Sequence, residues 1–268
     1  MPDAKTVLEL RDVCRDFSHG VFRTQTVRAV DHVSLSLERG KTFGLVGPSG
    51  CGKTTVSRMI TRLLRPSAGE ILFEGENIAA FSRKEGKDYH RKVQMIFQNP
   101  EASLDPSMTV RDSLLEAMEI HRLCASREEA MERIRATLGK VGVPEGLLSR
   151  YPHQISGGEG QRLVICRALL LEPEILLLDE PTSMLDVSVQ AHIMHILRDL
   201  QQEMGLTYLY ITHDLELLGW ISHSIGVMHK GKIVEQGSRD QIMNAPGHPY
   251  TQELLHSFTH WEPKGASI

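Results

Sequence analysis

The sequence has no excess of basic residues. Its 30 lysines and arginines are outnumbered by 34 aspartates and glutamates, for a formal net charge of −4. A cationic stripe for a phosphate backbone is absent, and no nucleic-acid partner is expected. Cysteine is scarce: Cys14, Cys51, Cys124 and Cys166 are all there is. None stands in a C-x-x-C pair or near a second cysteine at metal-ligand spacing, which fits a reducing compartment. The first residues lack the apolar centre of a signal peptide, so none is expected. Apolar runs are short and broken by charge, so nothing is expected to span a bilayer. Internal repeats and low-complexity segments are missing too. What remains is ordinary for a globular chain with a real core: 268 residues, 41% hydrophobic and 24% charged.

Strand and helix signals alternate along most of the chain. "VLELRDV" and "VSLSL" read as strands, and in the second Val33, Leu35 and Leu37 alternate with serine, the period of a half-buried antiparallel strand. "KTFGLVG" reads as a buried strand ending in a glycine turn, followed by a helix from Lys53 to Leu64. "GEILFEG" and "KVQMIFQ" are further strands. Between Pro100 and Arg150 strand signals vanish. "TVRDSLLEAMEIHRL" has helical periodicity, and "SREEAMERIRATLGKVG" opens on Ser126 and Glu129 in capping-box spacing. Alternation then resumes. "EILLLDE" has the continuous apolar run of a central parallel strand, "SIGVMHKGKIVEQG" reads as a hairpin around Lys230 and Gly231, and the tail carries two short helices. The expected class is α/β: a P-loop core with a mostly parallel sheet, an N-terminal antiparallel β part and a helical insertion.

"GPSGCGKT", Gly47 to Thr54, fits G-x-x-x-x-G-K-[ST] between a predicted strand and a predicted helix, the context that makes the pattern a phosphate site. Backbone N–H groups of Gly47, Pro48's successors Ser49 and Gly50, Cys51 and Gly52 can curl around an anion at a helix N-terminus. Lys53 reaches the outer phosphates, Thr54 offers a hydroxyl to Mg²⁺, and Thr55 follows in the same first turn. Cys51 reads as a space-filler in that loop. At the end of "EILLLDE", Asp179 is placed to hold Mg²⁺ and Glu180 to orient or deprotonate an attacking water. Gln98 ends a strand and offers an amide to Mg²⁺ or that water. His213 follows "LTYLYIT" and can hydrogen-bond a γ-phosphate. Far downstream, "ISGGEGQR" opens a helix with two glycines and carries no lysine of its own.

Taken in order, "GPSGCGKT", Gln98, "ISGGEGQR", "LLLDEP", "SMLD" and His213 resemble the ATP-binding cassette ATPases over essentially the whole chain. The resemblance implies ATP and Mg²⁺ as ligands. Gly47–Thr54 resembles Walker A, Asp179 the Walker B aspartate and Glu180 the catalytic glutamate. Gln98 resembles the Q-loop glutamine, Ser183 to Asp186 the D-loop and His213 the switch histidine. Phe17 stands where the family stacks an aromatic on adenine, with Phe22 as a rival. Two such cassettes pair head to tail, so Ser156, Gly157, Gly158 and Glu159 would face a nucleotide held by a second cassette's P-loop. Two residues depart from the pattern: Glu159 stands where glutamine is usual, and Met184 where a smaller residue is common.

"NPEASLDPSMTV" and "PGHPYTQELLHSF" resemble the dipeptide, oligopeptide and nickel importer branch. That resemblance implies a single ATPase domain over 1–268. It has a core lobe of 1–98 and 151–245, a helical insertion of 99–150 and a C-terminal helical extension of 246–268. It implies a second cassette, identical or paralogous, two integral-membrane permease subunits, and indirectly a substrate-binding protein. The chain would then lie peripherally on the cytoplasmic face of the inner membrane. Peptides are the expected cargo, with nickel as the alternative. His248, His256 and His260 invite a nickel site, although a solvated histidine pair is the commoner reason for such spacing.

Overall fold

The structure is a computed structural model and describes residues 6–19, 25–99 and 103–259. The chain divides into two compact units, one of residues 1–79 with 209–268, the other of residues 80–208.

In the first unit, β1 (Thr6–His19) pairs antiparallel with β2 (Gln25–Glu38) on one side and β4 (Ala68–Phe73) on the other, and β4 continues to the short β5 (Glu76–Asn77). Val33, Leu35 and Leu37 are buried while Ser34 and Ser36 are exposed, as the alternation predicts. Both long strands exceed their sequence signals. β1 continues through Asp12, a bulge with φ of 51°, where the apolar pattern lapses and the ladder shifts register before resuming at Val13. The same unit holds β3 (Thr42–Val46), buried at every position and parallel to β9 (Ser224–His229). β9 turns back into β10 (Lys232–Ser238) through Lys230 and Gly231, both at positive φ, as a two-residue hairpin requires. β8 (Thr207–Thr212) flanks β3 on its other side. Three short helices complete the unit: α7 (Leu215–Ile221), α8 (Arg239–Asn244) and α9 (Pro249–Thr259). α1 (Lys53–Ile60) is shorter than the expected Lys53–Leu64, because Arg62 takes a left-handed φ of 60° and ends the turn.

In the second unit, β6 (Val93–Ile96) runs parallel to β7 (Ile175–Asp179), whose five residues are all buried. Four aliphatic side chains removed from water there contribute about 1.5–3 kcal/mol each. Around this pair lie α2 (Arg83–Lys92), α3 (Val110–His121), α4 (Arg127–Lys140), α5 (Gly157–Leu169) and α6 (Val187–Met204). α4 is capped as its sequence predicts: Ser126 Oγ accepts the Glu129 N–H. α2 carries no apolar stripe and was not expected. It is stapled by the Ser82–Glu85 capping box and buries only Gly86 and Tyr89. The four cysteines are unpaired thiols. Burial in α5 pushes the Cys166 thiol up to about 12, so it is an inert filler. Among the described residues no helix is long and apolar enough to cross a membrane.

Candidate functional site

The glycine loop leaves the buried end of β3 and feeds α1. Two glycines there are sterically required. A Cβ on Gly47 would lie 2.2 Å from the Met228 carbonyl, and one on Gly52, at φ 113°, 2.4 Å from the Ala29 carbonyl. The loop is anchored from behind, since Gly231 N–H donates to the Cys51 carbonyl at 3.0 Å. Lys53 is buried and folds back over its own loop. Its ammonium donates to the Gly47 carbonyl at 2.6 Å and the Pro48 carbonyl at 3.0 Å. Thr54 is exposed at the first turn of α1. Burial raises the Cys51 thiol pKa, outweighing the lowering by neighbouring Lys53. Cys51 therefore fills space rather than reacting.

His213 stands exposed after the last residue of β8, so it and the glycine loop both follow the carboxyl ends of neighbouring strands. Phe17 is half-buried on β1 opposite Val27, with the Arg15 guanidinium carbon 4.7 Å over its ring. One ring face is thus occupied by a cation–π contact. Phe22 lies outside the described residues.

The second unit carries the carboxylates. Asp179 is buried at the end of β7. Glu180 comes next at φ 49°, a left-handed conformation that non-glycine residues adopt at a cost and that turns the chain off the sheet. The Gln98 amide donates to Glu180 Oε2 at 3.3 Å and to Ser183 Oγ at 3.1 Å, and Ser183 Oγ donates to the Glu180 carbonyl at 3.2 Å. Gln98 and Glu180, 82 positions apart, are thereby brought into one network. Ser183 is the member that sequence reasoning passed over; its place in "SMLD" was the available signal. Asp186 caps α6, accepting from Val189 N–H at 2.9 Å and from the Ser188 hydroxyl, and these bonds hold its carboxyl below the usual range. Beside it, Met184 and Val187 are 68% and 81% exposed, an apolar surface unusual for residues with no partner to cover them.

Ser156 begins α5 with a full capping box. Its Oγ accepts the Glu159 N–H at 3.4 Å, while Glu159 Oε2 accepts the Ser156 N–H at 2.8 Å and the Ser156 hydroxyl at 2.7 Å. The two glycines have different reasons. A Cβ on Gly158 would lie 2.6 Å from Val189 Cγ1, so α5 and α6 pack against its bare backbone. Gly157 is exposed, with only Leu185 Cδ2 at 3.5 Å, so packing does not demand it. Ser156, Gly157, Gly158 and Glu159 line a depression of about 430 Å³ with Arg162, Asp186 and His192.

A second groove of about 430 Å³ in the same unit has Phe97, Ile120 and Leu171 among its walls and His90, His121 and Arg167 at its polar edge. Phe97 and Ile120 are 38% and 55% exposed. Desolvation, then the neighbouring cations Lys87, Arg91 and His90, lower the His121 pKa.

Among the tail histidines, His248 serves local structure. His248 Nδ1 accepts the Tyr250 N–H at 3.1 Å, and Glu235 accepts the Gly247 and His248 N–H groups at 2.6 and 3.1 Å. His256 is exposed, and His260 lies outside the described residues. Among the described residues one Cys–His–Asp cluster, Cys14, Asp31 and His32, has ligand atoms within 4.8 Å of one another. Asp31 there already faces Arg28 at 3.2 Å and Lys232 at 3.1 Å, which repel an added cation.

A glycine loop cradling a buried lysine, on a β-strand that feeds a helix, defines a P-loop nucleotide-binding protein. The ABC transporter family profile matches residues 30–183, and the chain belongs to that family. It is 48% identical to the oligopeptide transport ATP-binding protein OppF of Bacillus subtilis (strain 168), over 88% of this chain and 78% of that one. It is 43% identical to the dipeptide transport ATP-binding protein DppF of Lactococcus lactis subsp. cremoris (strain MG1363), over 98% and 84%. Among solved structures it resembles the ATP-binding cassette MJ0796, a dimer in a post-hydrolysis state bound to ADP and Pi. That match has a TM-score of 0.77 and 28% identity, and covers 87% of this chain and 98% of that one. Membership makes the chain an ATP-binding ATPase.

Proposed function

We propose that this chain is the ATP-hydrolysing subunit of an importer for di- and oligopeptides. The observation that carries the cargo is the function in the names of its relatives, which match it nearly end to end. Nickel, the alternative, loses its motive where His248 commits its Nδ1 to a local amide.

The roles follow from the residues. Lys53 swings from its two loop carbonyls to the outer phosphates, an exchange of neutral acceptors for charged ones that favours the phosphates. Thr54, Asp179 and the Gln98 amide oxygen would each offer Mg²⁺ the hard oxygen donor it requires. When bound, Mg²⁺ neutralises charge on the phosphates. Glu180 polarises the attacking water, and Gln98, bonded to its carboxylate, sets its direction. His213 senses the γ-phosphate. Phe17 stacks on adenine with the ring face that Arg15 leaves open.

A second cassette, a copy or a paralogue, completes the site by presenting its own signature, and the exposed Met184 and Val187 lie in that contact. Residues 99–150 act as the helical insertion. The Phe97–Ile120 groove, apolar with Arg167 at its edge, takes a helix of one permease subunit at the cytoplasmic face of the membrane, the second cassette takes the other, and a substrate-binding protein delivers cargo from the other side. Purification in mild detergent through a tag on this chain tests the assembly. Two integral-membrane proteins should copurify, with Mg²⁺-dependent ATP hydrolysis. Glu180→Gln should keep ATP binding and lose about 100-fold or more in turnover. Full turnover in that variant would overturn the assignment.

A further inference from the structure

We propose that Glu159 is a charge latch on Ser156: the signature engages a partner's nucleotide only by giving up the hydrogen bond that caps α5. This rests on reading Ser156–Gly158 as half of a shared nucleotide site.

The Ser156 hydroxyl has one proton, and that proton is donated to Glu159 Oε2 at 2.7 Å. A phosphate oxygen can only accept, so a γ-phosphate arriving at the start of α5 needs the same proton. The phosphate also brings negative charge toward a carboxylate that the Ser156 N–H and hydroxyl hold below its usual pKa range. Of the charged groups facing Glu159, Arg162 helps hold its carboxyl ionised but bonds elsewhere. Arg162, one turn on in α5, directs its guanidinium to the Gly142 carbonyl at 2.6 Å and the Gly158 carbonyl at 3.3 Å. Asp186, across the depression, is a second carboxylate. His192 on α6 lines the same depression.

Closure on ATP must therefore swing Glu159 away or protonate it, and either event frees Ser156. Glutamine at this position would keep the reciprocal cap, since the capping box accepts either residue, and would remove only the charge. Glu159 is thus a positioning residue that sets how much ATP is needed for the two cassettes to close.

The test uses the complex copurified through this chain, with ATPase activity titrated against ATP at pH 8 in the native, Glu159→Gln and Ser156→Ala forms. Glu159→Gln should lower the ATP concentration for half-maximal activity about tenfold. Ser156→Ala should lose activity about tenfold or more. Should Glu159→Gln superimpose on the native curve while Ser156→Ala is impaired, the latch is wrong and the shared site stands. Should Ser156→Ala be fully active, the shared site fails and the latch with it.

Discussion

Gly157 and Gly158 are neighbours of the same type with separate causes. Gly158 is fixed by packing: a methyl there would sit 2.6 Å from Val189 Cγ1, and Val189 lies on a helix already capped by Asp186. Gly157 meets nothing closer than 3.5 Å, so its lack of a side chain serves whatever approaches from outside. Gly158→Ala should therefore destabilise the fold by about 1–3 kcal/mol in urea unfolding. Gly157→Ala should leave unfolding unchanged and still lower ATP-dependent turnover of the complex. Equal stability losses in both would contradict this division. At the same scale, Lys53 shows how a buried ammonium is made tolerable. Two carbonyls of its own loop satisfy it, and both are near enough to be exchanged for phosphate.

At the scale of elements, the start of α5 shows how a cap and a functional motif share atoms. Glu159 lies in the first turn, where the helix dipole favours a carboxylate, and Ser156 lowers its pKa. A carboxyl depressed in the folded state adds stability that is complete above its unfolded pKa and is lost as pH falls through the folded one. The native protein should thus be more stable than Glu159→Gln at pH 7, and the two should converge near pH 3 in urea titrations. A gap that persists at pH 3 would contradict the role of the ionised carboxylate. The elements most legible in the sequence were those with an unambiguous period or punctuation: the serine-spaced β2, the wholly apolar β7, the capped α4 and the Lys230–Gly231 hairpin. α2 escaped because "RKEGKDYHRK" has no apolar face to read, and only its Ser82–Glu85 box marked it. The Gln98–Glu180–Ser183 network was only half legible. Each residue stands at the end of a recognisable element, but a hydrogen bond spanning 82 positions leaves no local pattern.

At the scale of the whole molecule, each compact unit holds part of the machinery. The first has the glycine loop and His213; the second has Asp179 and Glu180, the start of α5 and the groove with exposed Phe97 and Ile120. Two features of the second unit lie at the surface and suit other chains: an apolar groove with exposed Phe97 and Ile120, and a helix start with exposed Ser156 and Gly157. The family was legible because its motifs are local and ordered, whereas the cargo rests on the names of the relatives. The central claim is that ATP turnover here drives peptide movement across a membrane. The direct measurement is uptake of a labelled peptide by proteoliposomes containing the complex copurified through this chain, with its binding protein added. ATP on the side bearing this chain should drive uptake, and Glu180→Gln should abolish it. Uptake that proceeds without ATP, or at the native rate in Glu180→Gln, would contradict the account.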